Sequence, residues 1–312
     1  MTFDARLVVV VLATFAAMSL AATALVPLAL RRTRGLSPDG RAAALLFARL
    51  LPVAVGTLAA MLVLAAYLRF EPRGEEPTGI LIRALAALAL LSALGSAVRW
   101  VSMTWRTRRT IATWTRSARP VSLEGVGIPA SVIDSPFPVV AVVGAFRPRL
   151  IVARSVLEAC PAHELDAVLA HERHHVARRD NLKRAAMAAV PDLLSWLPVS
   201  TRIADGWREA CEDAADDAAE RAGAGGRLGL ASALVRVARL APPDSLVPSG
   251  PVSMLLAFDG LERRVRRLLA PVAVAPRPRR PVAPALLAGA ACAFSSLGAV
   301  QRVIEIAVTH LP

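Results

Sequence analysis

Five residues, His171-Glu172-Arg173-His174-His175, place two imidazoles one helical turn apart with a carboxylate beside the first. At about 3.6 residues per turn, His171 and His175 project from the same helix face and can reach one ion. This is the His-Glu-x-x-His arrangement of zinc hydrolases, in which Glu172 acts as the general base. The alternative is a solvated polar helix face whose histidines merely cluster. Two histidines alone do not complete a zinc site, so the surrounding sequence must decide.

The pattern around the motif predicts a helix preceded by a small sheet. Pro161 suits a first helical position, and an apolar stripe then runs into His171 without a helix breaker before Asp180. Further helices are predicted over residues 181–197, 202–222, 228–240 and 254–269. Upstream, short apolar runs separated by Gly and Pro predict strands at 121–123, 130–133, 139–143 and 150–152. Residues 106–280 are therefore expected to form an α+β domain.

Composition places this domain in a membrane protein. Hydrophobic residues make up 55% of the 312-residue chain and aromatic residues only 4%, with a mean hydropathy of +0.50. Residues 1–105 are predicted to form three transmembrane helices, at about 7–30, 50–68 and 80–103, of which the third has the shortest uncharged run. Residues 281–312 are predicted to form a fourth span and a short outer tail. The first segment lacks a basic start and a clear cleavage site, so we interpret it as a retained helix.

The arginine distribution predicts the orientation. Arg31, Arg32, Arg34, Arg41 and Arg49 lie between the first two spans against the single acid Asp39, whereas the next loop mixes both signs. The positive-inside rule then places the first loop and the domain between the third and fourth spans in the cytoplasm. We therefore expect a multi-pass protein of the plasma or inner membrane.

The net charge of +13 does not by itself indicate a nucleic-acid partner. Lys183 is the only lysine, which indicates a general arginine bias, and no strong helix-turn-helix signature is present. Trp100, Trp105 and Trp114 follow the third span and fit the headgroup level better than a stacking surface. No direct nucleic-acid contact is expected. The three cysteines indicate no disulfide framework.

An acidic segment supplies candidates for the third metal ligand. Glu209 and Asp213 are four residues apart, so Glu209 could bind the ion while Asp213 orients a histidine. Glu212 and Asp216 have the same spacing on a different face and are the competing pair, and Asp217 is a further candidate. A solvated acidic face is the structural alternative.

These residues resemble the membrane metallopeptidases typified by the β-lactam-sensing antirepressor receptors. The resemblance rests on the motif followed by Arg178-Arg179-Asp180, the segment from Glu209 to Asp213, Gly144-Ala-Phe-Arg-Pro-Arg upstream, and Leu261-Glu-Arg-Arg-Val-Arg-Arg-Leu-Leu downstream. It implies a cytoplasmic, zincin-like peptidase domain of the gluzincin type. It also implies that His171, His175 and Glu209 bind zinc, that Glu172 is the general base and that Asp213 is the orienting carboxylate.

The resemblance further implies a signalling protease whose substrate is a transcriptional repressor of the winged-helix type, the protein itself, or both. In the antibiotic-sensing members an extracellular penicillin-binding domain follows the fourth span, whereas here only residues 302–312 remain, so we expect no such sensor. The alternatives are a non-catalytic membrane adaptor with a structural zinc site and a housekeeping protease that degrades membrane proteins. The oxyanion donor stays open among His174, His163 and Arg208, because the only tyrosine, Tyr67, lies within the second span.

Overall fold

The computed structural model describes residues 2–31, 33, 35–70, 77–123, 126–191, 193–221, 223, 226–241, 253–254 and 260–270. Three long helices come first: α1 (Phe3–Arg31), α2 (Pro38–Phe70) and α3 (Ile80–Thr115). All three are long and apolar enough to cross a membrane. The predicted fourth span lies outside the described residues.

The three helices pack directly on one another and extend beyond the predicted spans. Gly56 of α2 faces α1 so closely that a Cβ atom there would lie 2.8 Å from the Phe15 carbonyl oxygen. At one end Arg6 of α1 donates to the Tyr67 hydroxyl at 2.5 Å. At the other end α2 begins at Pro38, twelve residues before the predicted span, and α3 continues through the predicted domain boundary to Thr115. These extensions carry α2 and α3 onto the following domain.

A five-stranded sheet forms one layer of that domain. Its strands are β1 (Arg119–Val121), β2 (Ala130–Ile133), β3 (Val140–Val143), β4 (Arg149–Ala153) and β5 (Ser253–Met254), in the spatial order β1-β2-β4-β3-β5. The pair β2 and β4 is parallel, and the other neighbouring pairs are antiparallel. Strands β2, β3 and β4 fall where the apolar runs predicted them, whereas β1 ends at Val121, where the predicted strand 121–123 begins.

Helices form the other layer. They are α4 (Arg154–Ala159), α5 (Ala162–Arg178), α6 (Asp180–Ala189), a 3-10 turn (Leu193–Trp196), α7 (Pro198–Arg221), α8 (Gly226–Leu240) and α9 (Leu261–Leu269). The helix predicted over 181–197 ends at Ala189, because Pro191 cannot continue it. The helix predicted over 254–269 is likewise shorter, since Ser253–Met254 is a strand. This is a mixed α/β domain after membrane helices, as the sequence predicts.

Two apolar cores hold α5 and α7 in place. The larger core joins the sheet to α5 and α8 through residues such as Ile151, Val168 and Leu234. The second core joins α7 to α1, α2 and α6 through Val26, Leu45, Met187, Ile203 and Trp207. The domain is therefore packed against the C-terminal part of α1 and the N-terminal part of α2. Helix α5 belongs to the first core, and helix α7 contributes residues to both cores.

Candidate metal centre

Helix α5 carries the motif on its buried face. Its bounds match the prediction except that Pro161 is the N-cap residue, one position before the helix. His171 and Glu172 are fully buried and His175 is 3% exposed. The Nε2 atoms of His171 and His175 lie 3.2 Å apart, so both rings converge on one point as the spacing predicts.

The third group at this point is Glu212 of α7. Its Oε2 lies 3.4 Å from His171 Nε2 and its Oε1 lies 3.6 Å from His175 Nε2. Ligand atoms that are about 2.0–2.1 Å from a tetrahedral zinc ion are about 3.3–3.4 Å from one another. The separation of the two histidine nitrogens is close to that value, and each nitrogen lies at a similar distance from one of the two Glu212 oxygens. His171, His175 and Glu212 could therefore hold a metal ion.

Each histidine is held from behind by a different carboxylate. His171 Nδ1 lies 3.0 Å from Asp216 Oδ1, and His175 Nδ1 lies 2.8 Å from Asp180 Oδ2. An ionised carboxylate only accepts, so each contact favours a proton on Nδ1 and leaves Nε2 free to bind a cation. This is the usual support of a metal-bound imidazole.

Glu209 and Asp213, the preferred pair in the sequence interpretation, are not brought to the histidines. Glu209 lies 3.2 Å from Arg41 of α2 and 3.2 Å from Arg263 of α9. Asp213 accepts from Arg263 at 2.7 Å. Position 209 is rotated about 60° around the helix from position 212, since each residue advances about 100°. The structure thus places the competing pair, Glu212 and Asp216, where the ligand and orienting carboxylate were expected.

Asp180 is a site residue that the sequence analysis does not identify, because it appears there only where the helical pattern ends and in the run Arg178-Arg179-Asp180 after the motif. Arg179 adopts a left-handed conformation (φ 53°) that ends α5, and Asp180 then begins α6 with its carboxylate beside the last turn of α5. The next residue, Asn181, donates to the carbonyl oxygen of Val142 at 2.8 Å and so ties α6 to strand β3. Asp180 follows His175 by five residues, and the turn between α5 and α6 brings the two side chains into contact. This spacing is the sequence feature that could have identified Asp180.

Burial and charge set the protonation of the centre. Burial raises the pKa of Glu172, with partial opposition from His171 and His175. No hydrogen-bond partner for either Glu172 oxygen occurs among the described residues. A buried carboxylate with a raised pKa and unused oxygens is suited to accept a proton during a reaction.

The other carboxylates of the centre stay ionised. Although burial opposes it, Arg264 and His171 lower the pKa of Glu212, and the same two residues lower the pKa of Asp216 to about 2. Burial alone would lower the pKa of His171, but Asp216 and Glu212 raise it to about 9. The centre therefore favours a positive charge at the point where the three groups meet.

The remaining candidates lie away from this point. Arg208 is exposed and pairs with Asp205 at 3.0 Å. His174 Nε2 lies 3.6 Å from Asp39 Oδ1 at the start of α2, and His163 is exposed. Cys211 is buried, and burial raises the pKa of its thiol, which fits a small core residue.

Comparison with known families finds one matching family model. The model of the Peptidase_M56 family, described as BlaR1 peptidase M56, matches residues 78–268, more than half of the chain. The chain belongs to this family of membrane metallopeptidases, and the predicted resemblance is confirmed. No curated protein matches the chain.

Proposed function

We propose that this protein is an integral-membrane zinc endopeptidase that cleaves a cytoplasmic protein during signal transduction. The observation that carries the proposal is the convergence of His171, His175 and Glu212 beside Glu172, whose carboxylate has no hydrogen-bond partner among the residues that the structure describes. Two imidazoles and one carboxylate form a common ligand set of catalytic zinc, which keeps a fourth position open. The family match supports peptide-bond hydrolysis as the reaction.

Zinc held by these three residues would polarise the scissile carbonyl group and acidify water. Glu172 accepts the proton of the attacking water, and it later gives that proton to the departing amide nitrogen. Asp216 and Asp180 keep the two imidazoles in one tautomer and one ring orientation through their Nδ1 atoms. Burial raises the pKa of Glu172 and so increases its affinity for the proton of the attacking water.

The position of the centre relative to the membrane supports a substrate on the cytoplasmic side. The N-terminal half of α2 packs against α7, and Arg49 of α2 donates to Ser195 Oγ at 2.9 Å. The excess of arginine between the first two spans favours placing this end of the bundle in the cytoplasm of a multi-pass plasma-membrane protein. The substrate we propose is a transcriptional repressor of the winged-helix type, the protein itself, or both.

The test compares cells that express the wild type, Glu172→Gln and the control Glu158→Gln, which changes an exposed residue of α4. New protein N-termini are mapped by labelling and mass spectrometry. We expect cytoplasmic fragments with the wild type and with Glu158→Gln, and a loss of about 10²-fold or more with Glu172→Gln, because the general base is removed while the metal ligands remain.

Two outcomes would contradict the proposal. Unchanged fragments with Glu172→Gln would show that the site does not hydrolyse peptide bonds in this way, and would favour a signalling adaptor. Fragments that arise only from proteins outside the cytoplasm would show that the orientation is inverted.

A further inference from the structure

Helix α9 brings four arginines to the domain, and they have different surroundings. Arg266 is exposed and pairs with Glu262 of the same helix. Arg263 pairs with Glu209 and Asp213, and Arg267 pairs with Asp217, on the outer part of α7. Arg264 differs from the other three because it is 2% exposed and reaches the buried face of α7.

The Arg264 guanidinium contacts two carboxylates of the metal centre at once. Its Nε donates to Asp216 Oδ2 at 3.1 Å and its Nη2 donates to Asp216 Oδ1 at 2.6 Å. Its Nη1 lies 3.1 Å from Glu212 Oε2. A planar guanidinium holds such a pair in a fixed relative orientation, which a flexible ammonium group does not.

These contacts hold the carboxylate of Glu212 and the carboxylate that contacts His171. Arg264 pairs with Glu212 Oε2, the oxygen that lies 3.4 Å from His171 Nε2, while Glu212 Oε1 lies 3.6 Å from His175 Nε2. Arg264 also fixes Asp216, whose Oδ1 lies beside His171 Nδ1. One side chain therefore sets the orientation of a candidate ligand, and it sets the orientation of the carboxylate behind a second ligand.

A cation beside a metal site would oppose metal binding if the local charge were otherwise balanced. Here three buried carboxylates, Glu172, Glu212 and Asp216, lie around the Arg264 guanidinium. The fourth carboxylate, Asp180, has Lys183 at 3.4 Å. The acidic groups around Arg264 outnumber its single positive charge, so the arginine does not cancel their attraction for a divalent cation. Arg264 and a divalent metal are thus compatible.

We propose that Arg264 is a positioning residue of the metal centre, which orients Glu212 directly and His171 through Asp216. This inference rests on the proposed function, because it takes His171, His175 and Glu212 as the ligands of zinc. Arg264 acts through these residues and does not touch the substrate.

The test measures zinc affinity of the full chain in detergent by competition with a chromophoric chelator. Arg264→Gln is compared with Arg267→Gln, which removes another arginine from the same helix without touching the centre. We expect Arg264→Gln to weaken zinc binding about 10–100-fold, the usual effect of losing a residue that supports a metal ligand. Arg267→Gln is expected to stay within about twofold of the wild type, since its partners lie outside the centre.

A second variant separates orientation from charge and from general stability. Arg264→Lys keeps the charge but loses the planar fork, so its zinc affinity should also fall and its Co²⁺ absorption spectrum should differ from that of the wild type. The unfolding midpoint of each variant is measured after chelation, so a loss of α9 packing is seen independently of the metal. If Arg264→Gln does not fold, the zinc affinity and the Co²⁺ spectrum of Arg264→Lys alone test the inference.

The outcomes distinguish this inference from the proposed function. A wild type that binds no zinc, or a His171→Ala variant that binds it as well as the wild type, would refute the metal centre and with it the inference. Zinc binding that depends on His171 but is equally strong in Arg264→Gln and Arg267→Gln would refute the inference alone. Tighter zinc binding by Arg264→Gln would also refute the inference alone. So would an Arg264→Lys variant with the zinc affinity and the Co²⁺ spectrum of the wild type.

Discussion

Helix α7 presents two pairs of carboxylates with the same spacing and opposite surroundings. Glu209 and Asp213 face arginines from α2 and α9, and the Glu209 side chain is 35% exposed. Glu212 and Asp216 face the histidines of α5, and the Asp216 side chain is fully buried. A pair four residues apart is therefore not by itself a metal ligand with its supporting carboxylate. What distinguishes the two pairs is the rotation of α7 against α5.

The largest expected difference between the two faces of α7 is in how strongly the substitution of each glutamate affects metal binding. Glu212→Gln should lose bound zinc and peptide hydrolysis by about 10³-fold or more, because a ligand charge worth several kcal/mol is removed. Glu209→Gln should retain both, since it breaks only partly exposed ion pairs. Metal content of the purified chains and cleavage of the substrate found in cells measure the effect. If Glu209→Gln loses the metal and Glu212→Gln keeps it, the sequence-based assignment is right and the packing described here is not.

A smaller difference is expected between the two aspartates. Asp216→Asn should weaken zinc binding about 10–100-fold, because the amide no longer holds His171 Nδ1 with a full negative charge. Asp213→Asn, which loses contacts to Arg263 and Arg267, should change zinc affinity little. Chelator competition on the two variants measures both values. Equal losses would show that Asp216 does not support His171 specifically.

The smallest expected effect concerns a buried carboxylate outside the metal centre. It tests whether burial alone makes a carboxylate important for stability. Glu164 of α5 is 1% exposed and accepts from Ser232 and from Arg236 of α8, far along the helix from the motif. Glu164→Gln should lower the free energy of unfolding by about 1–2 kcal/mol at pH 7, a value reduced because Arg236 is partly solvated. Zinc affinity should be unchanged.

The pH dependence of that effect has a definite sign. Arg236 and Ser232, against burial, lower the pKa of Glu164 below its ordinary 4.5. The stabilisation is then fully present above pH 4.5 and is lost as the pH falls through the lowered pKa of the folded state. Unfolding midpoints of the chelated wild type and Glu164→Gln should converge between neutral and strongly acidic pH. A difference that grows on acidification would refute this assignment.

Local sequence patterns predicted most of the secondary-structure elements and the three residues of the metal centre that lie on α5. Strands β2 to β4 and the motif helix appear where short apolar runs and helical apolar spacing placed them, because buried segments must be apolar on the faces that they bury. His171, Glu172 and His175 share one helix, so their relative positions follow from helix geometry alone. The helix break before Pro191 follows from the proline itself, which the prediction over 181–197 overlooked, whereas the short strand Ser253–Met254 forms by pairing with the distant strand β3.

The amino-acid sequence specifies the chemical groups: two histidines and a glutamate on one helix, an acidic segment, and apolar stretches long enough for membrane helices. Which acids complete the centre depends on how the helices pack in three dimensions. Glu212, Asp216, Asp180 and Arg264 come from three other helices, and their approach depends on how α7 and α9 pack on α5. A rotation of α7 by about 60° would exchange Glu209 for Glu212 without altering any local preference, so side-chain packing between helices made that choice.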